Sequence, residues 1–511
     1  MSSKTGEVWE VSIPRLEKSD QYRSYTLTLS VSSALGKEAY LSPKSEKVVA
    51  EAGQYIYTYS KGEIEKTGIV AGFGEFQVFG FTLNYHLENP LTKPALAEIA
   101  IPPDTAIQKV YLTEVSPKPI NITKDEEGNW IANYTLKSRD RVDVIVKGSV
   151  QIFATPRKFE IPNREVLTGD LGESQYWQVN DSKIKQLAAN LKTPKAIYDY
   201  VTSSLSYDYS RVKPNVTRLG ALGALNNPKN AICTEFTDLT IALLRAAGIP
   251  AREVNGYAYT ENPTIQPLSL VADVLHAWPE YWDSQKLAWI PIDPTWGSTT
   301  GGEDFFNKLD LRHFAFVMHG KDSQKPYPPG SYKLGPNPQK DVFVTIGSLP
   351  LDRNGLINIQ AEYKKKLPFL GDSIEVRINN VGTSTLYGIN EKIIFDGKLS
   401  SDKNIDYLIP FSSDTFTIKV PFTFLGKNTP STVSILAGDK KIEVPTNKTE
   451  VLIYSLLVLF LIFGLIIGLI LLQFKKNYVN GKLLDIGKIF RRKGDDVTQP
   501  INQNSEREKQ S

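Results

Sequence analysis

One cysteine, four histidines and a few well-spaced aspartates hold most of the chemistry that this 511-residue chain offers. The cysteine is Cys233, so no intramolecular disulfide and no cysteine zinc cluster can form. A lone thiol is most often a small buried apolar group, and its surroundings must carry any case for chemistry. Cys233 follows Asn230-Ala231-Ile232 and opens a helical stretch, about 232–247, with Phe236, Leu239, Leu243 and Ala246 on one face. The stretch stops at Gly248-Ile249-Pro250, glycine just past the end and proline beyond it. A helix N-terminus presents unpaired N–H groups and about half a unit of positive charge. Both favour an anionic nucleophile, and the same N–H groups can bind the oxyanion of a tetrahedral intermediate.

Of the four histidines, His276 stands in His276-Ala277-Trp278-Pro279-Glu280-Tyr281-Trp282, on a predicted strand. Seventeen residues later comes Asp293, ending a second strand within Trp289-Ile290-Pro291-Ile292-Asp293-Pro294-Thr295-Trp296-Gly297. A hairpin of this length sets the two side by side, where the carboxylate can orient the imidazole and stabilise its charged form. Plainer readings stand beside this one: Asp293 as a helix cap before Pro-Thr, His276 as a satisfied core residue. Four of the seven tryptophans fall between 278 and 296, which suggests a rigid apolar wall around the hairpin, or simply core.

The segment Cys233-Thr234-Glu235-Phe236-Thr237-Asp238-Leu239, continuing through Leu243-Leu244-Arg245-Ala246-Ala247-Gly248-Ile249-Pro250-Ala251-Arg252 to Gly256-Tyr257, resembles the core of the transglutaminase-like superfamily. His276-Ala277-Trp278 is similar to that family's histidine strand and Asp293-Pro294-Thr295 to its aspartate strand, with 43 residues from Cys to His and 17 from His to Asp. The resemblance covers about 165–310, including Leu205-Ser206-Tyr207-Asp208-Tyr209. It implies an α+β, papain-like core of the prokaryotic membrane-anchored type. It also implies a mechanism in which the Cys233 thiolate attacks an amide or peptide carbonyl while His276 shuttles the proton and Asp293 holds His276. The thioester is then released by water or by an amine. No metal and no cofactor are implied. Candidate side-chain oxyanion donors are Tyr207, Tyr209 and Trp177. One position departs from the family: glycine usually stands two residues before the cysteine, and here Ala231 adds a methyl that would narrow the substrate's approach. The expected activity is that of a cysteine peptidase or amidase on a protein or peptide substrate. The alternatives are a cross-linking transglutaminase and a non-catalytic surface protein that uses the fold to bind peptides or partners.

The elements that must position these residues lie in a chain too long for one core. The fold class expected is α+β, a papain-like transglutaminase core flanked by β-sandwich domains, plus one C-terminal transmembrane helix. Residues 1–160 show short alternating runs such as Tyr25-Thr26-Leu27-Thr28-Leu29 and read as a β-rich region of one or two sandwich-like modules. The core follows over 165–318, with a helix start at Thr193-Pro194. A Pro/Gly linker is expected over 319–340, an Ig-like β-sandwich over 341–445, a membrane helix over 451–473 and a basic, disordered tail over 474–511.

Val451 to Leu472 is an uncharged apolar run of 22 residues. A hydrocarbon core of about 30 Å needs roughly 20 helical residues, so the run is long enough to span. Gly464 and Gly468 form a GxxxG pair that would let two such helices pack into a homodimer. Lys475, Lys476, Lys482, Lys488, Arg491, Arg492 and Lys493 place the C-terminal flank in the cytoplasm and the bulk outside. Five Asn-x-Ser/Thr sequons, at Asn121, Asn133, Asn180, Asn215 and Asn447, are compatible with that side. Met1 to Glu7 offers no apolar leader core, so a missing leader, another export route and a tail anchor with the bulk in the cytosol are the alternatives. A formal charge of +3 gives no basic surface for nucleic acid.

Overall fold

Alternating segments turn one side of each strand to a core, so the chain builds up as paired sheets. The computed structural model describes residues 2–65, 67–213, 216–270, 273–334, 339–365, 371–421 and 423–479. Residues 2–73 form two sheets, one of four strands in the order Ser2–Thr5, Val8–Ile13, Ile69–Phe73, Glu38–Ser42, and one of three in the order Thr26–Ser32, Gln54–Ser60, Lys47–Glu51. Tyr57, Tyr59, Ile69 and Phe73 sit in their shared core. A second pair of sheets, over 76–153, centres on strands Phe76–Glu88 and Arg141–Phe153, antiparallel along their whole length.

The core of this second pair includes Phe314 and Phe316 of strand His313–His319, so it packs directly against the central α+β unit. That strand lies at a sheet edge, where free backbone groups need partners. Gln108 supplies them: its Nε2 donates to the Ala315 carbonyl and its Oε1 accepts from the Ala315 N–H, each at 3.0 Å. Asn129 clamps Met318 in the same way, at 2.8 and 2.7 Å.

In the central unit, helices Ser182–Leu191, Pro194–Ser204, Gly220–Asn226 and Cys233–Ala246 form one core. The antiparallel sheet beside them runs in the order Ser269–Leu270, Val274–Asp283, Ala251–Ala258, His313–His319, with Ala288–Pro291 added to Val274–Asp283. Thr193 caps its helix by accepting from Ala196 N at 3.2 Å, with Pro194 at the first helical position. The Cys233 helix ends as its sequence dictates. Gly248 takes φ +80°, and the Ile249 N–H returns to the Leu244 carbonyl at 2.9 Å.

Two segments depart from expectation. Much of the Pro/Gly segment 319–340 is packed rather than extended. Ser323 O accepts from Arg218 Nη1 at 3.0 Å, Pro326 O from His319 Nε2 at 2.8 Å, and Lys333 pairs with Asp273 and Asp341. Residues 335–338 lie outside the described ones. Strand Val342–Ile346 then pairs with Phe79–Leu83, so the first alternating run of the expected 341–445 module joins the second N-terminal pair of sheets. Alternation fixes which face of a strand is apolar but not which sheet the strand joins.

Strands Ile357–Lys364, Ser373–Asn380 and Ser413–Lys419 form one further sheet. Lys398–Leu408, Leu386–Phe395, Thr432–Ala437 and Lys440–Pro445 form another, and the two share Ile374, Val376, Ile378, Val433 and Ile435 as core. Helix Lys448–Val479 follows; within its stretch Lys448–Lys476 an 18-residue window has a mean hydropathy of 3.1, and most of the stretch is exposed. Gly464 and Gly468 lie on this exposed helix, where a Cβ added at either would meet nothing within 4 Å beyond the helix's own backbone. Of the expected tail 474–511, residues up to Val479 continue the helix, and 480–511 lie outside the described residues.

Candidate active site

Cys233 opens its helix as expected, after an extended Ile232. Glu235, two residues on and fully buried, fastens this turn: its carboxylate accepts from Ile232 N at 3.0 Å, Leu219 N at 2.8 Å and Arg211 Nη1 at 2.9 Å. Such a carboxylate satisfies backbone donors at the helix start and complements its dipole. The Cys233 N–H itself, a first-turn donor, has no acceptor among the described residues. Thr237 Oγ1 donates to the Ala277 carbonyl at 3.1 Å, which ties the Cys233 helix to the strand one residue from His276.

His276 Nε2 lies 2.9 Å from Asp293 Oδ2, and both side chains are fully buried. The other ring nitrogen, Nδ1, is buried without a hydrogen-bond partner, and Cys233 is among the groups that raise the pKa of the ring. The ring stacks on Trp296 at 5.2 Å and on Trp278 at 6.1 Å, which fixes its plane. Burial alone would lower the His276 pKa. The Asp293 charge and hydrogen bond, aided by Cys233, outweigh it and push the pKa up to about 9. Burial likewise works against the Asp293 carboxylate, but His276 and His313 hold it well below the ordinary carboxylate range.

Asp293 is also a helix cap. Its Oδ1 accepts from Thr295 N at 2.9 Å and Trp296 N at 3.1 Å, at the start of helix Pro294–Thr299. The two readings of this residue therefore hold together, one on each carboxylate oxygen. The strand before it is shorter than expected, Ala288–Pro291.

The three oxyanion candidates separate clearly. Trp177 is corrected: its indole N–H is donated to Asp238 Oδ1 at 2.9 Å, in a cluster where Asp238 also pairs with Arg218. Tyr209 is corrected too, since its hydroxyl donates to the Thr264 carbonyl at 2.5 Å. Tyr207 alone keeps a buried hydroxyl without a partner. Burial, then the neighbouring Cys233, push its phenol pKa well up, so it stays protonated and able to donate. Ala231 pairs with Tyr207 in a parallel bridge and sits fully buried in the helical core.

Sequence reasoning missed His313. Its Nε2 lies 3.4 Å from the same Asp293 Oδ2 that holds His276, and its Nδ1 lies 2.7 Å from Asp310 Oδ1. Burial lowers the His313 pKa, and Asp310 and Asp293 raise it by more, to about 9. The only signal in the sequence was an Asp-x-x-His spacing, which many surface turns share. Ligand atoms of His276, Asp293 and His313 lie within 4.8 Å of one another, a spacing a divalent ion could use. Asp293 Oδ2 is already shared between the two imidazoles through the contacts just described.

This segment, with cysteine at a helix start, histidine on a strand and aspartate just past the adjoining strand, has counterparts in known sequences. Residues 178–294 match the profile of the transglutaminase-like superfamily. The chain carries a transglutaminase-like core. Eighty-nine residues of the chain are 38% identical to a protein-glutamine gamma-glutamyltransferase of Pseudomonas aeruginosa, which is 17% of this chain and 13% of that one. Seventy residues are 36% identical to an uncharacterised protein of Mycobacterium bovis, 13% of this chain and 22% of that one. The chain thus spans less than a quarter of the length of either curated relative. Among solved structures, a candidate cysteine protease from Cytophaga hutchinsonii is 18% identical, with a TM-score of 0.36 over 55% of this chain and 93% of that one. The periplasmic domain of TgpA from Pseudomonas aeruginosa is 15% identical, with a TM-score of 0.26 over 46% and 93%.

Proposed function

We propose that this chain is a membrane-anchored thiol enzyme that acts on amide or peptide bonds through Cys233, His276 and Asp293. One observation carries the reading: a buried imidazole bonded to a buried carboxylate by one nitrogen, with its other nitrogen unpartnered and a thiol at a helix N-terminus among the groups that raise its pKa. Sγ of Cys233 attacks the substrate carbonyl. The developing oxyanion is received by the Cys233 N–H and the Tyr207 hydroxyl. The intermediate collapses as the His276 imidazolium gives its proton to the leaving nitrogen, and a thioester remains on Cys233. Water, deprotonated by His276, then attacks the thioester and returns the free thiol.

Hydrolysis is the expected outcome, and anchoring rests on the exposed apolar helix after Pro445. Amine transfer is the second reading, favoured by the match to a relative named a glutamyltransferase. Both share the acyl-enzyme and differ in what reaches it. Incubating the full-length protein with a peptide library, with and without a primary amine, tests the proposal by mass spectrometry. Shortened or deamidated products support hydrolysis, and amine-adducted products support transfer. Neither product above a Cys233→Ala control refutes the enzymatic reading.

A further inference from the structure

Between strands Ser413–Lys419 and Thr432–Ala437 lies a short turn, Thr423–Lys427, which is laid against the first turns of the apolar helix. Its contact depth is informative. The Leu425 N–H donates to Ser455 Oγ at 3.0 Å, and Ser455 in turn donates to the Val451 carbonyl at 2.7 Å. Val451 is the first residue of the uncharged run, so Ser455 lies four residues inside it, about 6 Å further along the helix axis at 1.5 Å per residue. The turn therefore reaches past the level at which the helix becomes apolar.

Two features suit that depth. Part of the turn's backbone is paired within it: Gly426 N donates to Thr423 O at 2.8 Å and Asn428 N to Thr423 Oγ1 at 2.8 Å. Meanwhile the side chains at its tip are apolar and uncovered, Phe424 at 45% and Leu425 at 42% exposure. On the helix turns it packs against, Leu452, Ile453, Tyr454 and Leu456 are uncovered too. Leu425 is held at φ +62°, a left-handed conformation that a branched side chain rarely adopts, with the Ser455 bond fixing it there. Lys427 and Lys448 flank the tip, where lipid headgroups would meet them.

We infer that Thr423–Lys427 is a membrane-dipping turn: Phe424 and Leu425 enter the lipid beside the apolar helix and hold the C-terminal sheets in one orientation on the bilayer. The inference rests on the membrane-anchored reading above, and a second labelled position separates the two. In the full-length Cys233→Ser background, Phe424→Cys, Leu425→Cys, Leu461→Cys and Leu351→Cys are each labelled with a polarity-sensitive fluorophore and reconstituted into phosphatidylcholine/phosphatidylglycerol vesicles. Leu461 lies mid-helix, and Leu351 is fully exposed on the globular part. The expected result is blue-shifted emission at 424, 425 and 461, with 424 and 425 quenched more by shallow than by deep spin-labelled lipid, and water-like emission at 351. Lipid-like emission at 461 with water-like emission at both 424 and 425 overturns the dipping turn while leaving the anchor intact. Water-like emission at 461 as well overturns the anchor and the turn together.

Discussion

Oδ2 of Asp293 lies 2.9 Å from Nε2 of His276 and 3.4 Å from Nε2 of His313, so one buried carboxylate oxygen faces two imidazoles. The charge of Asp293, with Asp310 beside it at His313, lets two buried histidines keep their protons, and it sets how the site should respond to pH.

Asp293→Asn removes that charge. His276 is lifted to about 9 in the folded protein from an ordinary value near 6.5. Its contribution to stability is therefore complete below about pH 6.5 and is lost as pH rises through about 9. Asp293 runs the other way: its share is present above the ordinary carboxylate range and is lost in acid. The substitution is expected to move the alkaline limb of the kcat/KM profile to lower pH and to cut kcat by about 10⁴-fold, as the comparable change does in other triads. An unshifted limb with residual activity would mean that Asp293 serves only as the helix cap.

His313→Gln is expected to act in the opposite direction. The two rings stand 5.7 Å apart, and with Asp310 and Asp293 on its two nitrogens His313 keeps its proton. Removing a like charge favours the protonated form of His276, so the alkaline limb moves to higher pH, with a modest loss in kcat. Asp310→Asn should follow His313→Gln in direction and exceed neither its shift nor its loss. The pH profiles of the two variants, taken side by side, check the chain of contacts.

Tyr207→Phe removes a buried hydroxyl that has no other partner. If it serves the oxyanion, kcat falls by about 10²–10³-fold with KM little changed. Tyr209→Phe provides the contrast, because its hydroxyl is spent on Thr264 O, and kcat should stay close to wild type. Steady-state kinetics on one chromogenic amide substrate distinguishes the two.

Gly256→Ala tests the scaffold. A Cβ at Gly256 would stand 2.2 Å from the Phe314 carbonyl oxygen and 2.9 Å from the Trp278 ring, and Gly256 is the strand partner of His276. The backbone has no room to yield without separating strands. A loss of about 1–3 kcal/mol is expected from such overpacking, read as a lower thermal midpoint, together with lost activity.

The parts of the site legible in the sequence were those set by local rules. Gly248-Ile249-Pro250 ends one helix because glycine alone adopts φ +80° there without strain, and Thr193-Pro194 starts another by satisfying a first-turn donor. The His276–Asp293 contact was legible because a short antiparallel hairpin brings strand ends together. His313 was not, since it arrives from a strand 20 residues past Asp293 whose edge is clamped by Gln108 and Asn129 of another module. Nor did residue types show which aromatic donor was free. Trp177, Tyr207 and Tyr209 all carry an N–H or O–H, and only the competing acceptors Asp238 and Thr264 separate them. Likewise Val342–Ile346 reads as a strand from its alternation, but its partner sheet is settled by contacts hundreds of residues away.

The central claim is that His276 makes Cys233 a nucleophile, and the chain's single cysteine makes it directly testable. The measurement is the rate of iodoacetamide alkylation of the reduced full-length protein, mapped by peptide mass, for wild type and His276→Ala between about pH 5 and 10. The account predicts that wild-type Cys233 reacts at least about 10²-fold faster than the variant at pH 6, because the buried imidazole activates the nucleophile. Equal rates in the two proteins across that range would contradict it.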